Sequence, residues 1–231
     1  MTGNGGADKT LASALPPLYR LAMALHFDKP ISTREQLRGV LGEPSPRVVA
    51  KVIDHIDVHC RGFIAKSPFL LLATANGDGK VDVSPKGDPA GFVHVLDAHT
   101  LAIPERLGNR LADSFLNMLE RPQVGLLFMI PGKPETLRAG GTARIVQDDW
   151  LLEKMAVRGK APQLATVVTV ERIFFHCAKC VVRSHLWQSD AWPDLDGVPS
   201  LAEAIIDHAK LHETVQQVQA GLDESYRDRL Y

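Results

Sequence analysis

FLLLATANGDGKVDVSPKG, residues 69–87, is the stretch whose reading decides the fold. It opens on an apolar run of strand length, Phe69–Ala75. Asn76-Gly77-Asp78-Gly79 follows, and these are the residue types that accept left-handed backbone in a tight hairpin turn. Val81-Asp82-Val83-Ser84 then alternates apolar and polar side chains, as a strand covered on one face does. Apolar run, turn and alternating run together predict an antiparallel hairpin.

Further strands extend this hairpin on the C-terminal side. Phe92–Leu96 and Thr100–Ile103 flank Asp97-Ala98-His99 as a second, shorter hairpin. QVGLLFMIPG (123–132) reads as a strand ending in a Pro-Gly turn. Thr136–Val146 alternates well enough for another, and Gly140-Gly141 marks a bend or bulge in it. VVTVERIFF, within Gln163–Phe175, is the last strong strand. Helices are predicted over 107–122, stopped before Pro122, over Asp148–Val157 and over Leu201–Val218. About six strands joined mostly by short turns predict an antiparallel β-barrel of α+β class.

The N-terminal texture is different. Residues 1–14 are rich in Gly, Asn and Ala and read as a mobile tail. A short helix is expected over 18–27, and Ser32-Thr33-Arg34-Glu35 reads as a capping box opening a second helix to about Leu41. From Arg47 to Cys60 the residues Val48, Val49, Val52, Ile53 and Ile56 share one helical face. The expected division is an N-terminal tail and helical extension (1–60), a barrel domain (61–190) and a C-terminal helical segment (191–231).

Composition narrows the function. Of 231 residues, 26 are Lys or Arg and 27 Asp or Glu, so the formal net charge is -1. That balance argues against partners bound through massed positive charge, namely nucleic acid and anionic membranes. The longest apolar runs fall far short of the roughly 20 residues of a membrane helix. Three cysteines, Cys60, Cys177 and Cys180, suit a reducing compartment better than a disulfide framework. With no apolar leader at the N-terminus, a soluble cytoplasmic protein is expected.

Ile103-Pro104-Glu105-Arg106-Leu107-Gly108-Asn109-Arg110 carries the chemistry. Arg106 and Arg110 are four apart, where the predicted helix begins. Like charges at that spacing disfavour each other without an anion between them. Free N–H groups at a helix start, two guanidinium forks and Lys86 from a neighbouring strand would make a phosphate site. The plain alternative is a solvated helix face. His176-Cys177-Ala178-Lys179-Cys180 holds one Cys-x-x-Cys pair, too few ligands for a zinc site, and a packing role is favoured over metal or redox chemistry. His55 and His59, with Asp54 and Asp57 nearby, read as a polar exposed face. No metal is expected.

The ordered set FLLLATANGDGKVDVSPKG, LAIPERLGNR, LERPQVGLLFMIPG, TLRAGGTARIV and HCAKCVVRSHLW resembles the pyridoxamine 5'-phosphate oxidase-like flavoproteins, the FMN-binding split barrels. The resemblance covers roughly Phe63 to Trp187. It implies a six-stranded antiparallel split β-barrel with flanking helices, and a homodimer holding FMN between its two copies. It implies that Val81, Asp82, Val83, Ser84 and Lys86 run along the flavin edge, and that Ile103 and Pro104 pass the ring. Arg106, Asn109 and Arg110, with Lys86, would hold the phosphate. Thr136 stands where the family places a glutamine against the flavin. Arg183 and Trp187 stand where the second subunit supplies an arginine and a tryptophan over the cofactor. The sequence departs from the family pattern in using arginine for lysine at the phosphate and in lacking the Arg-Leu-Ala-Pro ending. The implied function is an FMN-dependent oxidoreductase acting on a small soluble substrate through flavin N5. The alternative is a barrel that binds flavin, haem or F420 without turnover.

Overall fold

A computed structural model describes residues 26–231. The chain divides into two compact units, 1–46 and 47–231. In the first, helix α1 (Arg34–Leu41) begins at Thr33. The Thr33 hydroxyl accepts from the Gln36 amide at 3.2 Å, and Gln36 Oε1 accepts from the Thr33 amide at 3.1 Å. The capping box therefore sits one residue later than expected, because it is Gln36 that stands at the third helical position. The helix expected over 18–27 lies, but for its last two residues, outside the described residues.

In the second unit the single helix expected over 47–60 is replaced by α2 (Pro46–Ala50) and α3 (Val58–Ile64). Ile53 exchanges both backbone hydrogen bonds with Ile173, at 3.1 and 2.7 Å, and so leaves the helical path. Asp57 restarts the helix by accepting from the Cys60 amide at 2.8 Å. A pairing 120 residues away in sequence overrides the local period.

Seven strands form one antiparallel sheet: β1 (Phe69–Ala75), β2 (Val81–Gly87), β3 (His94–Val95), β4 (Thr100–Pro104), β5 (Gln123–Met129), β6 (Thr136–Val146) and β7 (Ala165–His176). Their order is β2-β1-β5-β6-β7-β4-β3. The expected second hairpin is there, with its Phe92–Leu96 strand shortened to the two-residue β3 paired to β4. β2 and β3, at the two ends of that order, do not pair, so the barrel is split. Asn76 closes the first hairpin: its side chain accepts from the Lys80 amide at 2.9 Å, and Gly79 takes φ +83°. The core is filled by alternate residues of the strands, among them Leu70, Leu72, Leu126, Phe128, Leu137, Val168 and Ile173. β6 carries a register shift at Gly140/Gly141. A Cβ on Gly141 would stand 1.9 Å from the Thr169 carbonyl oxygen.

α3 sends Cys60, Phe63 and Ile64 into this core. Burial, then the hydrogen bond with Asp57, pushes the Cys60 thiol up to about 12. Cys177 and Cys180 are exposed. A thiol reagent applied near pH 8, where an ordinary thiol of pKa about 8.5 ionises appreciably, is expected to label Cys177 and Cys180 and spare Cys60. Peptide mass mapping checks this, and rapid labelling of Cys60 in the folded protein would contradict it.

Helix α4 (Asp113–Glu120) packs on β1, and α5 (Asp149–Lys154) brings Leu151 and Leu152 against Ala102, Ala165 and Val167 of β4 and β7. α6 (Lys179–Arg183) follows β7. The single C-terminal helix expected from sequence is two, α7 (Leu201–Ala209) and α8 (Val215–Asp228). Lys210 turns left-handed at φ 52°, and Thr214 with Gln217 caps the new start. No helix among the described residues is long and apolar enough to cross a membrane.

Candidate functional site

The loop between β4 and α4 organises the site. The helix expected to start near Leu107 starts at Asp113 instead. Arg110 and Ala112 both adopt left-handed backbone, φ 62° and 60°, which an α-helix cannot accommodate. Asn109 supports the bend by accepting from the Leu111 amide at 3.0 Å. Each such non-glycine residue costs on the order of 1 kcal/mol or more, and strain of this kind clusters at ligand clamps. Gly108-Asn109 is therefore not a helix start, and the helix's own first turn carries the acidic Asp113.

Two clefts share this loop. The smaller, about 230 Å³, lies against β2 and is lined by Asp82, Ser84, Lys86, Glu105, Asn109 and Ser114, among others. The two-residue period of a strand puts Asp82, Ser84 and Lys86 on one face. Lys86 Nζ lies 2.7 Å from Glu105 Oε2 and 5.7 Å from the Phe115 ring centre. Ser114 Oγ donates to Asp82 Oδ2 at 3.1 Å, tying α4 to the strand. β2 is an edge strand, so part of its backbone N–H and C=O row faces away from β1.

The larger cleft, about 650 Å³, runs between the same loop and residues 160–164, with Arg106, Arg110 and Tyr231 in its wall. Arg106 is engaged elsewhere than expected. Its Nε donates to Asp88 Oδ2 at 2.6 Å and its Nη2 to the Met155 carbonyl at 2.8 Å. The Asp88 side chain is 2% exposed and that of Arg106 15%. Arg110 is exposed and makes no ion pair or hydrogen bond among the described residues.

The structure thus gathers Asp82, Ser84, Lys86, Asn109 and Arg110 around one loop. Other expected residues lie apart. Ile103 is a core residue at 2% exposure, and Pro104 is buried. Both pair with β7, so only their backbone borders the loop. Val81 and Val83 point to the opposite face of β2, 72% and 54% exposed. Thr136 and Val83 line a third, mainly apolar cleft of about 640 Å³ between the outer sheet face and α6. Arg183 ends α6 in an exposed position, and Trp187 donates its indole N–H to the Lys133 carbonyl at 2.9 Å. Neither lines any of the three clefts. Sequence reasoning missed Asp88, Glu105 and Tyr231. Glu105, beside Arg106, carried a local charge signal; the Tyr231–Asp88 contact spans 143 positions and carried none.

Residues 56–177, more than half of the chain, match the family model described as pyridoxamine 5'-phosphate oxidase. No curated protein matches the chain in sequence. Among solved structures, HupZ of Group A Streptococcus is 20% identical, with a TM-score of 0.43 over 52% of this chain and 93% of that one. A Clostridium acetobutylicum protein related to general stress protein 26, of the pyridoxinephosphate oxidase family, is 15% identical, with a TM-score of 0.40 over 52% of this chain and 86% of its own. HutZ, the heme storage protein of Vibrio cholerae, is 15% identical, with a TM-score of 0.38 over 52% and 93%.

Proposed function

The chain belongs to the pyridoxamine 5'-phosphate oxidase family, and from that premise we propose that it is a homodimeric, cytoplasmic FMN-dependent oxidoreductase of a small soluble substrate. The observation that carries this is the open edge of β2, with Ser84 and Lys86 facing a strained loop whose Arg110 guanidinium is exposed and engages no other group among the described residues. The donor set fits a flavin nucleotide. An edge strand offers a line of backbone donors and acceptors for the pyrimidine rim, and Arg110 offers a planar fork for phosphate oxygens. Lys86 would be shared between that phosphate and Glu105. Arg106 is assigned instead to holding Asp88 and the Met155 carbonyl.

A bound flavin would supply hydride chemistry at N5, which no side chain here can supply. The chain's own part is to orient and shield. Ser84 and the β2 backbone set the ring's edge, Asn109 holds the loop bend, and Phe115 walls the cleft against water. The homodimer accounts for the outer sheet face, where Leu71, Ala73, Val83, Leu127 and Met129 leave an apolar surface that an isolated antiparallel sheet would make polar. In that dimer Val81, Thr136, Arg183 and Trp187 would complete the site from the interface side.

Titration of the purified protein with FMN, followed by flavin fluorescence, is expected to show one site per chain, with a dimer in sedimentation. Under anaerobic conditions a nicotinamide or pyridoxamine-type donor is expected to bleach the bound flavin. Absence of FMN binding would overturn the reading. Binding without bleaching by any such donor would remove the oxidoreductase and leave a flavin carrier.

A further inference from the structure

Two histidines distant in sequence meet beside one aspartate. The spacing of His55 and His59 reads as one helical face, but α3 begins only at Val58 and His55 lies in the loop before it. Its neighbour in space is His99, in the turn between β3 and β4. The two ring centres are 6.3 Å apart, with the ring planes at 60°. Both rings are held by Asp54. His55 Nδ1 lies 2.9 Å from the Asp54 carboxylate oxygen Oδ1, and His99 Nδ1 lies 3.1 Å from the Asp54 carbonyl oxygen. A carboxylate and a carbonyl only accept, so each neutral ring carries its hydrogen on Nδ1 and leaves Nε2 as a bare lone pair. Both side chains are exposed, and neither Nε2 has a hydrogen-bond partner among the described residues. The backbone beneath the pair is fixed. Ile53 exchanges hydrogen bonds with Ile173, and the Ile56 amide donates to the Ala98 carbonyl at 2.7 Å. The His99 amide donates to Asp97 Oδ1, and its carbonyl accepts from the Val170 amide, both at 2.7 Å.

An imidazole that ligates a metal ordinarily donates its other N–H to a carboxylate or a backbone carbonyl, which fixes the tautomer and aims the ring. Here one ring does the first and its neighbour the second, and a single residue supplies both acceptors. Two imidazoles on one ion, each at about 2.0–2.1 Å, place their ring centres about 5–6.5 Å apart, and 6.3 Å falls within that span. We propose that His55 and His99 bind a divalent transition ion of the zinc, nickel and copper class through Nε2, with Asp54 as the positioning residue for both rings. Imidazole nitrogen suits those ions, whereas magnesium and calcium call for oxygen ligands. No third His, Cys, Asp or Glu side chain among the described residues completes the set, so the ion's other positions belong to water or to an anion. The site lies on the loop before α3 and does not depend on flavin binding.

The test is calorimetric titration of the full chain with Zn²⁺ in a Cys177→Ser, Cys180→Ser background, where the exposed thiols no longer take up the probe. One saturable site per chain is expected. His55→Ala and His99→Ala should each weaken it by about tenfold or more, as loss of one of two protein ligands requires. Asp54→Ala keeps the carbonyl and loses the carboxylate brace, and should weaken it by about tenfold. His59→Ala should leave it unchanged. Nitrogen NMR of the same background chain with its histidines intact reads the contact directly and serves if a variant fails to fold: Zn²⁺ should shift Nε2 of His55 and His99 and leave their Nδ1 hydrogens in place. No saturable binding, undiminished affinity in a folded His55→Ala, His99→Ala or Asp54→Ala variant, a loss in His59→Ala, or ligation through Nδ1 would overturn the proposal. Failure of FMN to bind leaves it untouched.

Discussion

Replacing Asp88 with alanine is expected to lower stability by about 3–5 kcal/mol, because it strands a nearly buried guanidinium. Arg106 reaches Asp88 at 2.6 Å with side chains 15% and 2% exposed, so water cannot take over the lost carboxylate. The Tyr231 phenol loses its acceptor in the same step. For a chain of this length the loss corresponds to a fall in Tm of about 10 °C. Two comparisons separate stranding from simple loss of an attraction. Glu135→Ala breaks the exposed Lys133–Glu135 pair, 3.1 Å apart, and should cost no more than about 1 kcal/mol. Adding Arg106→Met to Asp88→Ala removes the orphaned charge and should restore part of the loss. Urea unfolding of the three variants decides the matter; an Asp88→Ala loss below about 1 kcal/mol would mean that Arg106 finds solvent.

Gly141→Ala is expected to be the most damaging single methyl in the sheet. Its Cβ would meet the Thr169 carbonyl oxygen at 1.9 Å and the Glu171 nitrogen at 3.1 Å, both backbone atoms of the paired strand. Relief requires opening the bulge between β6 and β7, the most extensive pairing in the barrel. A loss above about 4 kcal/mol, or insoluble expression, is the expected outcome. Gly140→Ala is its control: there the nearest atom is Arg172 Cγ at 3.4 Å, on a side chain that can swing aside. The cost at Gly140 should stay near 1 kcal/mol. Equal stability of the two variants would mean that the bulge relaxes freely.

These two residues also mark where sequence reading succeeds and where it stops. Gly140-Gly141 stood out inside an alternating run, and the bulge is there, because a missing Cβ is a local fact. The Phe69–Gly87 hairpin was legible for the same reason: run, turn and alternation lie within nineteen consecutive residues. The helix over 107–122 was readable only in its second half. Nothing in the period of LGNRLAD says that Arg110 and Ala112 turn left-handed. Arg106 and Arg110 looked equivalent at four-residue spacing, yet Asp88, just past the end of β2, engages one and leaves the other exposed. Ile53 left its helix for a partner on β7. At Ile53 and Arg106 a pairing distant in sequence overrides a local pattern, whereas the bend at Arg110 and Ala112 is local and leaves no mark on the period.

The central claim, that Arg110 and the β2 edge grip a flavin nucleotide by its phosphate, is tested most directly by comparing FMN with riboflavin. The two share a ring and differ in the dianion. Fluorescence titration of the wild-type chain should give FMN about ten- to a hundredfold tighter binding than riboflavin, the range of one charge-assisted contact. In Arg110→Glu that preference should disappear while riboflavin binding is kept. Equal affinity of the wild-type chain for the two flavins, or an undiminished FMN preference in Arg110→Glu, would contradict the account.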